Sequence, residues 1–354
     1  MDLQQVISAI APASREAMEA SQKKWDGVGK PLGSLGTLED MVVRMAGMFG
    51  TADFDIARKA VVIMCADNGV VAEGVTQSGQ EVTAIVAANM ARRQSSVCKM
   101  ARVAGAEVWP VDIGMANAVD LPGIAQKCIR RGGTRNFVQE PAMTRQEAEQ
   151  AILVGVEAVK TLYDGGVRLF ATGEMGIGNT TTSAAVLSVL LNRSPAEMTG
   201  RGAGLSNAGL ERKVRAIETA IDCHRPDPAD GLDVLSKVGG YDLAGLCGVF
   251  LGGALYHVPV LIDGLISAAA AMCAASLCPA ARDYMLASHL SGEPAADPVL
   301  CTLGVKPILQ AGMRLGEGTG AVAVMPILDM AMAVYNGDTF DDLQMEAYTP
   351  QNGT

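Results

Sequence analysis

VRLFATGEMGIGNTTTSAAVLSVLL, residues Val167–Leu191, passes from a strand to a helix through a glycine-rich turn, and its reading decides the fold. The run Val167 to Ala171 reads as a strand and Thr181 to Leu191 as a helix, which leaves Gly173, Gly176 and Gly178 in the turn between them. Such a turn suits an anion. Glycines let the backbone approach a phosphate closely, and the unpaired N–H groups at the helix start point at it with the positive end of the helix dipole. Glu174 stands in the same turn. A carboxylate there repels a phosphate, so Glu174 is expected to face the sugar or the attacking group of a phosphate-bearing substrate. The turn matches neither the P-loop spacing nor GxGxxG, and a glutamate in it also fits a helix cap or a surface position.

A second loop strengthens the reading. MRLGEGTGAVAV, Met313–Val324, sets Glu317 between two glycines far along the chain. Two such loops suggest one site that holds an anion and gives or takes a proton. GRGAGL, Gly200–Leu205, is a third glycine-rich turn; Gly202 within it and Lys213 shortly after are candidate phosphate contacts with Gly176 and Gly178, and an ordinary connection is the alternative.

Outward from this unit, apolar runs alternate with alanine-rich stretches in the rhythm of βαβ units. Further strands are expected at 60–66, 107–112, 258–262 and, more weakly, within 284–288. Polar residues gather where these runs end: Asp67, Asn68, Asp112, Glu174, Asp263, Ser288 and His289. Ligands of open α/β sheets bind beyond the carboxyl ends of the strands. The expected fold class is therefore α/β, a Rossmann-like parallel sheet flanked by helices. Residues 26–304 form its large domain, and residues 1–25 plus 305–354 read as a small helical subdomain. The tail TFDDLQMEAYTPQNGT reads as an exposed helix with a frayed end. Leu243 to Ile262 has no Asp, Glu, Lys or Arg, yet Gly245, Gly248, Gly252, Gly253 and Pro259 split it into a close-packed helix and a buried strand rather than a membrane span.

At 354 residues the chain is long enough for a large core, and its net charge of −10 argues against nucleic acid or an anionic membrane as partner. The eight cysteines include no CxxC pair and there are three histidines, so neither a metal nor another cofactor is expected. Most of the cysteines lie in apolar runs and read as buried thiols in a reducing compartment. The first twenty residues are amphipathic with early acids, so a cytoplasmic protein without a secretory leader is expected.

KPLGSLGTLE (Lys30–Glu39), ADNGVVAEGV (Ala66–Val75), GEMGIGNTTT (Gly173–Thr182), DVLSKVGGYDLAGLCG (Asp233–Gly248), PVLIDG (Pro259–Gly264) and MRLGEGTGA (Met313–Ala321) together resemble the nicotinate-nucleotide:dimethylbenzimidazole phosphoribosyltransferase family. The resemblance spans nearly the whole chain in the same order. ADNG stands where ADHG is common, and GVTQSGQEVTA lacks the Tyr-Pro pair of GVSAYPQEVT, which leaves the preferred base open.

The resemblance implies transfer of phosphoribose from nicotinate mononucleotide to an aromatic nitrogen base, with inversion from β to α, to build the lower ligand of cobalamin. It implies Glu317 as the general base and Glu174 as a second carboxylate near the sugar. It also implies a base pocket drawn from Ser78, Gln80, Met313 and Leu315, and a homodimer. A partly apolar setting around Glu317 would raise its pKa, as proton transfer near neutral pH requires. The pyridinium leaving group is already cationic and needs no acid to expel it. Two other readings stay open: a protein that binds nucleotide or base without turnover, and a Rossmann-type oxidoreductase, which the missing GxGxxG after the first strand disfavours. His289 is left out of the catalytic set, since a lone histidine is more often structural.

Overall fold

A computed structural model describes residues 1–348. Six parallel strands form one sheet: β1 (Lys59–Ala66), β2 (Ala106–Gly114), β3 (Ala125–Gln126), β4 (Leu169–Met175), β5 (Val260–Ile262) and β6 (Met285–Ala287). Their spatial order is β3-β2-β1-β4-β5-β6. The direction of winding reverses between β1 and β4, and this is where an open α/β sheet leaves a crevice for ligand. All eight residues of β1 are buried, as a strand covered by helices on both faces requires.

The two faces are covered differently. Met64 of β1 meets Gly245 of the helix Tyr241–Leu255, which crosses β1, β2 and β4. On the opposite face Val61 and Ile63 meet Gly318 and Gly173. The helix Tyr241–Leu255 is buried through almost its whole length because it lies between the sheet and the helix Arg145–Asp164. Glycines permit that approach. A Cβ at Gly155 would stand 2.0 Å from the Gly245 carbonyl oxygen, and one at Gly248 would stand 1.8 Å from that of Ile152. The charge-free run at 243–262 is thus a core helix and a strand, and no helix among the described residues is long and apolar enough to cross a membrane.

Several boundaries differ from the sequence reading. β4 starts at Leu169 and continues to Met175, so Gly173 and Glu174 belong to the strand end rather than to the turn. Pairing with β1, Met64 opposite Glu174 and Cys65 opposite Met175, extends it. β3 was not expected; its two residues pair with Val111 and Asp112 and carry no pattern of their own. The stretch 305–335 is helical only from Thr319 to Tyr335, and its first part is loop.

The two ends of the chain do meet. Trp25 and Tyr335 pack with ring centroids 5.0 Å apart, and Val28 pairs antiparallel with Thr339. Residues 340–344 form turns rather than the expected helix, because buried Phe340 folds back and Thr339 engages the Asp342 carboxylate. The remainder of the expected tail, 349–354, lies outside the described residues.

Candidate active site

A cavity of about 220 Å³ opens at the carboxyl ends of β4, β5 and β6. Glu174 enters it from the end of β4, and Glu317 from the loop before the helix Thr319–Tyr335. Gly173 has no side chain where the Glu317 carbonyl oxygen lies, since a Cβ there would stand 2.6 Å from it. The loop is thereby pressed against the strand. Gly316, Glu317 and Gly318 all have positive φ, at 85°, 61° and 90°. For glutamate this left-handed conformation costs on the order of 1–3 kcal/mol and needs support from its surroundings.

Asp263, buried just after β5, supplies that support. Its Oδ2 accepts from Gly318 N at 3.3 Å and its Oδ1 from Ala321 N at 2.9 Å, so it caps the helix from across the fold. His289 is buried against the same turn, its ring occupying the space a Cβ at Gly320 would fill. The Glu317 Oε2 accepts from Val97 N at 3.1 Å, at the start of the helix Ser96–Ala104. Burial raises the Glu317 carboxyl above the ordinary range; the Val97 bond opposes the rise and Asp263 adds to it. Burial pushes Glu174 up to about 8, with Asp242 and Asp263 contributing like-charge repulsion. Asn179 Nδ2 donates to Glu174 Oε2.

The other end of the cavity is suited to an anion. The helix Asn179–Leu190 begins there, preceded by Gly178 at φ 96°. Lys213 is fully buried, and Nζ donates to Thr180 Oγ1 at 2.8 Å and to the Gly200 carbonyl at 3.1 Å. Burial pulls its ammonium down to about 8. Gly202, at φ 53°, lies against Thr180 and lines the cavity. A cation held under a helix start beside a glycine turn is a ready acceptor for phosphate.

The structure gathers Glu174, Gly176, Gly202, Leu315 and Glu317 around this one cavity. Leu315 is 59% exposed there. Ser78 and Gly178 line an adjoining hollow that shares Gly176, Ile177, Asn179 and Thr180 with it. Lys213 lies behind Thr180. Gln80 and Met313 line neither space: Gln80 Nε2 donates to the Asn68 carbonyl at 3.3 Å, and the Met313 carbonyl accepts from Gly292 N. Arg201, which the GRGAGL turn also offers as a phosphate partner, lines the adjoining hollow and donates to the Leu205 carbonyl.

Sequence reasoning did not assign roles to Asp263, Asn179 and Thr180. In the sequence Asp263 reads only as a polar strand end; its capping of a distant loop has no local signal. Among the described residues no group of three or more His, Cys, Asp or Glu is arranged to hold a metal.

A family model described as phosphoribosyltransferase matches residues 10–344. The chain is 46% identical over 351 residues to the nicotinate-nucleotide–dimethylbenzimidazole phosphoribosyltransferase of Ruminiclostridium cellulolyticum, covering 99% of each. It is 45% identical over 336 residues to the protein of that name from an Escherichia coli strain, covering 95% of this chain and 92% of the other. Among solved structures it is similar to CobT from Thermus thermophilus, with a TM-score of 0.89 and 38% identity over 94% of this chain and 99% of that one. Matches of this extent, on a fold whose glutamate loops meet beside the sheet's reversal point, settle the relationship: the chain belongs to the nicotinate-nucleotide–dimethylbenzimidazole phosphoribosyltransferase family.

Proposed function

We propose that this protein transfers phosphoribose from nicotinate mononucleotide to 5,6-dimethylbenzimidazole or a related base, giving nicotinate and α-ribazole 5′-phosphate for assembly of the cobalamin nucleotide loop. The observation that carries the reading is the meeting of Glu317 and Glu174 in one cavity whose far end presents a helix start and a glycine turn, with Lys213 buried behind Thr180. The phosphate occupies that far end, against Gly176, Gly178, Gly202 and the Lys213 region. Its ribose then lies toward Glu174, and the aromatic base sits between Leu315, the Ser78 hollow and Glu317.

One lone pair of the base attacks the anomeric carbon as the glycosidic bond breaks, and the bonding electrons leave with the pyridinium nitrogen. The proton on the other ring nitrogen passes to Glu317, whose carboxyl burial raises above the ordinary range. The product therefore carries no extra charge. Glu174 positions the sugar. We further read the chain as a homodimer in the cytoplasm, and the two terminal segments as a small helical subdomain that backs the Glu317 loop.

The test is to incubate the purified protein with nicotinate mononucleotide and dimethylbenzimidazole and to separate the products. Nicotinate and ribazole phosphate in equal amounts support the transferase. Binding without either product would leave a nucleotide- or base-binding protein in its place.

A further inference from the structure

Asp242 is the second residue of the helix Tyr241–Leu255 and is fully buried. Its Oδ1 accepts from Leu243 N at 2.9 Å, while its Oδ2 has no donor in good geometry, although the side-chain amides of Asn179 and Asn68 favour its charged form. Asn68, just beyond β1, is buried as well; its Nδ2 donates to the Ile177 carbonyl and its Oδ1 has no partner. Two glycines make room for this group. A Cβ at Gly176 would stand 2.5 Å from both Asp242 Oδ2 and the Ala66 carbonyl oxygen, and one at Gly240 would stand 2.4 Å from Asp242 Oδ1 and 2.5 Å from Asn68 Oδ1. Asn179 Nδ2 lies 3.3 Å from that same point at Gly176 and donates to Glu174 Oε2. The Asn179 amide is shared by the two carboxyls, donating to Glu174 and favouring the charged form of Asp242.

A buried carboxylate oxygen without a donor is costly, and leaving a second acceptor beside it adds to the cost. We propose that Asp242 is a positioning residue for the transfer reaction: with Asn179 it sets the place of the Glu174 carboxyl at the cavity wall, where Glu174 meets the sugar as a hydrogen-bond donor. The proposal rests on the function proposed above. It also removes a difficulty, because a neutral Glu174 does not repel the phosphate of the substrate.

The charges around Glu174 agree with it. Asp242 from the helix start and Asp263 from beyond β5 raise the Glu174 carboxyl, the Glu317 backbone N–H and the Asn179 amide oppose them, the Cys65 thiol faces Glu174 from β1, and of the cations Lys213 lies behind Thr180 and Arg314 at the cavity wall. His289 also lines the cavity. Burial leaves Asp242 at about 6 and Glu174 at about 8, so near neutral pH the first is charged and the second is not.

The test reads the proton directly. Infrared spectra of the full-length protein, recorded against pH, contain the carbonyl stretch of protonated carboxyls, and the Glu174 band is assigned by its loss in Glu174→Gln. In Asp242→Asn the midpoint of that band should fall by about one pH unit, the usual effect of removing a neighbouring like charge. In Asn179→Leu, which removes a hydrogen bond to the ionised form, it should rise, so this variant decides the matter should Asp242→Asn fail to fold. Both variants should lower kcat more than they raise KM for the mononucleotide. No Glu174 band at neutral pH, or a midpoint unmoved in the variants that fold, overturns the proposal. The band does not depend on turnover, so failure of the assigned reaction is distinguishable from failure of this inference.

Discussion

Replacing Gly248 with alanine should destabilise the protein even though alanine is the better helix former. Alanine in a helix interior gains roughly 0.8–1.0 kcal/mol over glycine. At Gly248 the new Cβ would stand 1.8 Å from the Ile152 carbonyl oxygen and 3.0 Å from Gly155 Cα, both backbone atoms that no rotamer change can move. Ordinary contact begins near 3.4 Å, so the helices Tyr241–Leu255 and Arg145–Asp164 must part by about 1.6 Å locally (3.4 − 1.8). Overpacking of this kind costs about 1–3 kcal/mol and more where backbone must shift, and opening the seam forfeits dispersion contacts along it. The upper part of that range applies, for a net loss of roughly 1–2 kcal/mol after the propensity gain.

Gly27 is the control. It ends the helix Arg15–Gly27, is exposed, and has nothing within 4 Å of its would-be Cβ. Gly27→Ala should stabilise by about 0.4–1 kcal/mol by restricting the unfolded chain. Urea denaturation of the two variants beside the parent protein should therefore move the midpoint in opposite directions. A Gly248→Ala midpoint equal to or above the parent's would refute the close helix contact.

Glu317→Gln should lower turnover by about 10²–10⁴-fold while nucleotide binding survives in calorimetry; near-normal turnover would remove Glu317 from its role. The pH profile of kcat should rise through a window above the ordinary carboxylate range, since Glu317 works deprotonated and burial raises it, and should fall near pH 8 as Glu174 ionises. Loss of the acid limb in Glu317→Gln checks the first assignment, and persistence of that limb contradicts it. Lys213→Met should raise KM for nicotinate mononucleotide by an order of magnitude or more, and an unchanged KM argues against the phosphate site. Its effect on stability has a sign as well. A lysine lowered to about 8 from 10.5 is harder to charge in the folded state, so the protein gains stability as pH rises between those values, and this gain should disappear in Lys213→Met.

The βαβ rhythm and the reading of 243–262 as helix plus strand were legible because buried parallel strands and close-packed helices leave plain marks: unbroken apolar runs in one case, glycines at helical spacing in the other. The end of β4 was not legible. Gly173 and Glu174 look like turn residues, and only pairing with Ile63 and Met64 of β1 draws them into the sheet. β3 and the turns at 340–344 likewise depend on partners distant in sequence.

At the site, the glutamate loops announced themselves by their glycines, yet the reason for those glycines was partly different. Gly173 makes way for the Glu317 carbonyl, and Gly176 makes way for Asp242 and Ala66. Asp263 acts by reaching across the fold to Gly318 and Ala321, and Asn179 by turning back on Glu174 at the strand end, and such residues look like any polar strand end or helix start until the fold is in view.

The most direct measurement of the central claim is a crystal structure of the protein with dimethylbenzimidazole and phosphate bound in place of the two substrates' ends. A ring nitrogen of the base should lie within about 2.6–3.2 Å of the Glu317 carboxylate, and phosphate at the start of the helix Asn179–Leu190 near Gly176 and Gly202. A base bound outside the cavity, or bound inside it with Glu317 turned away, would contradict the account.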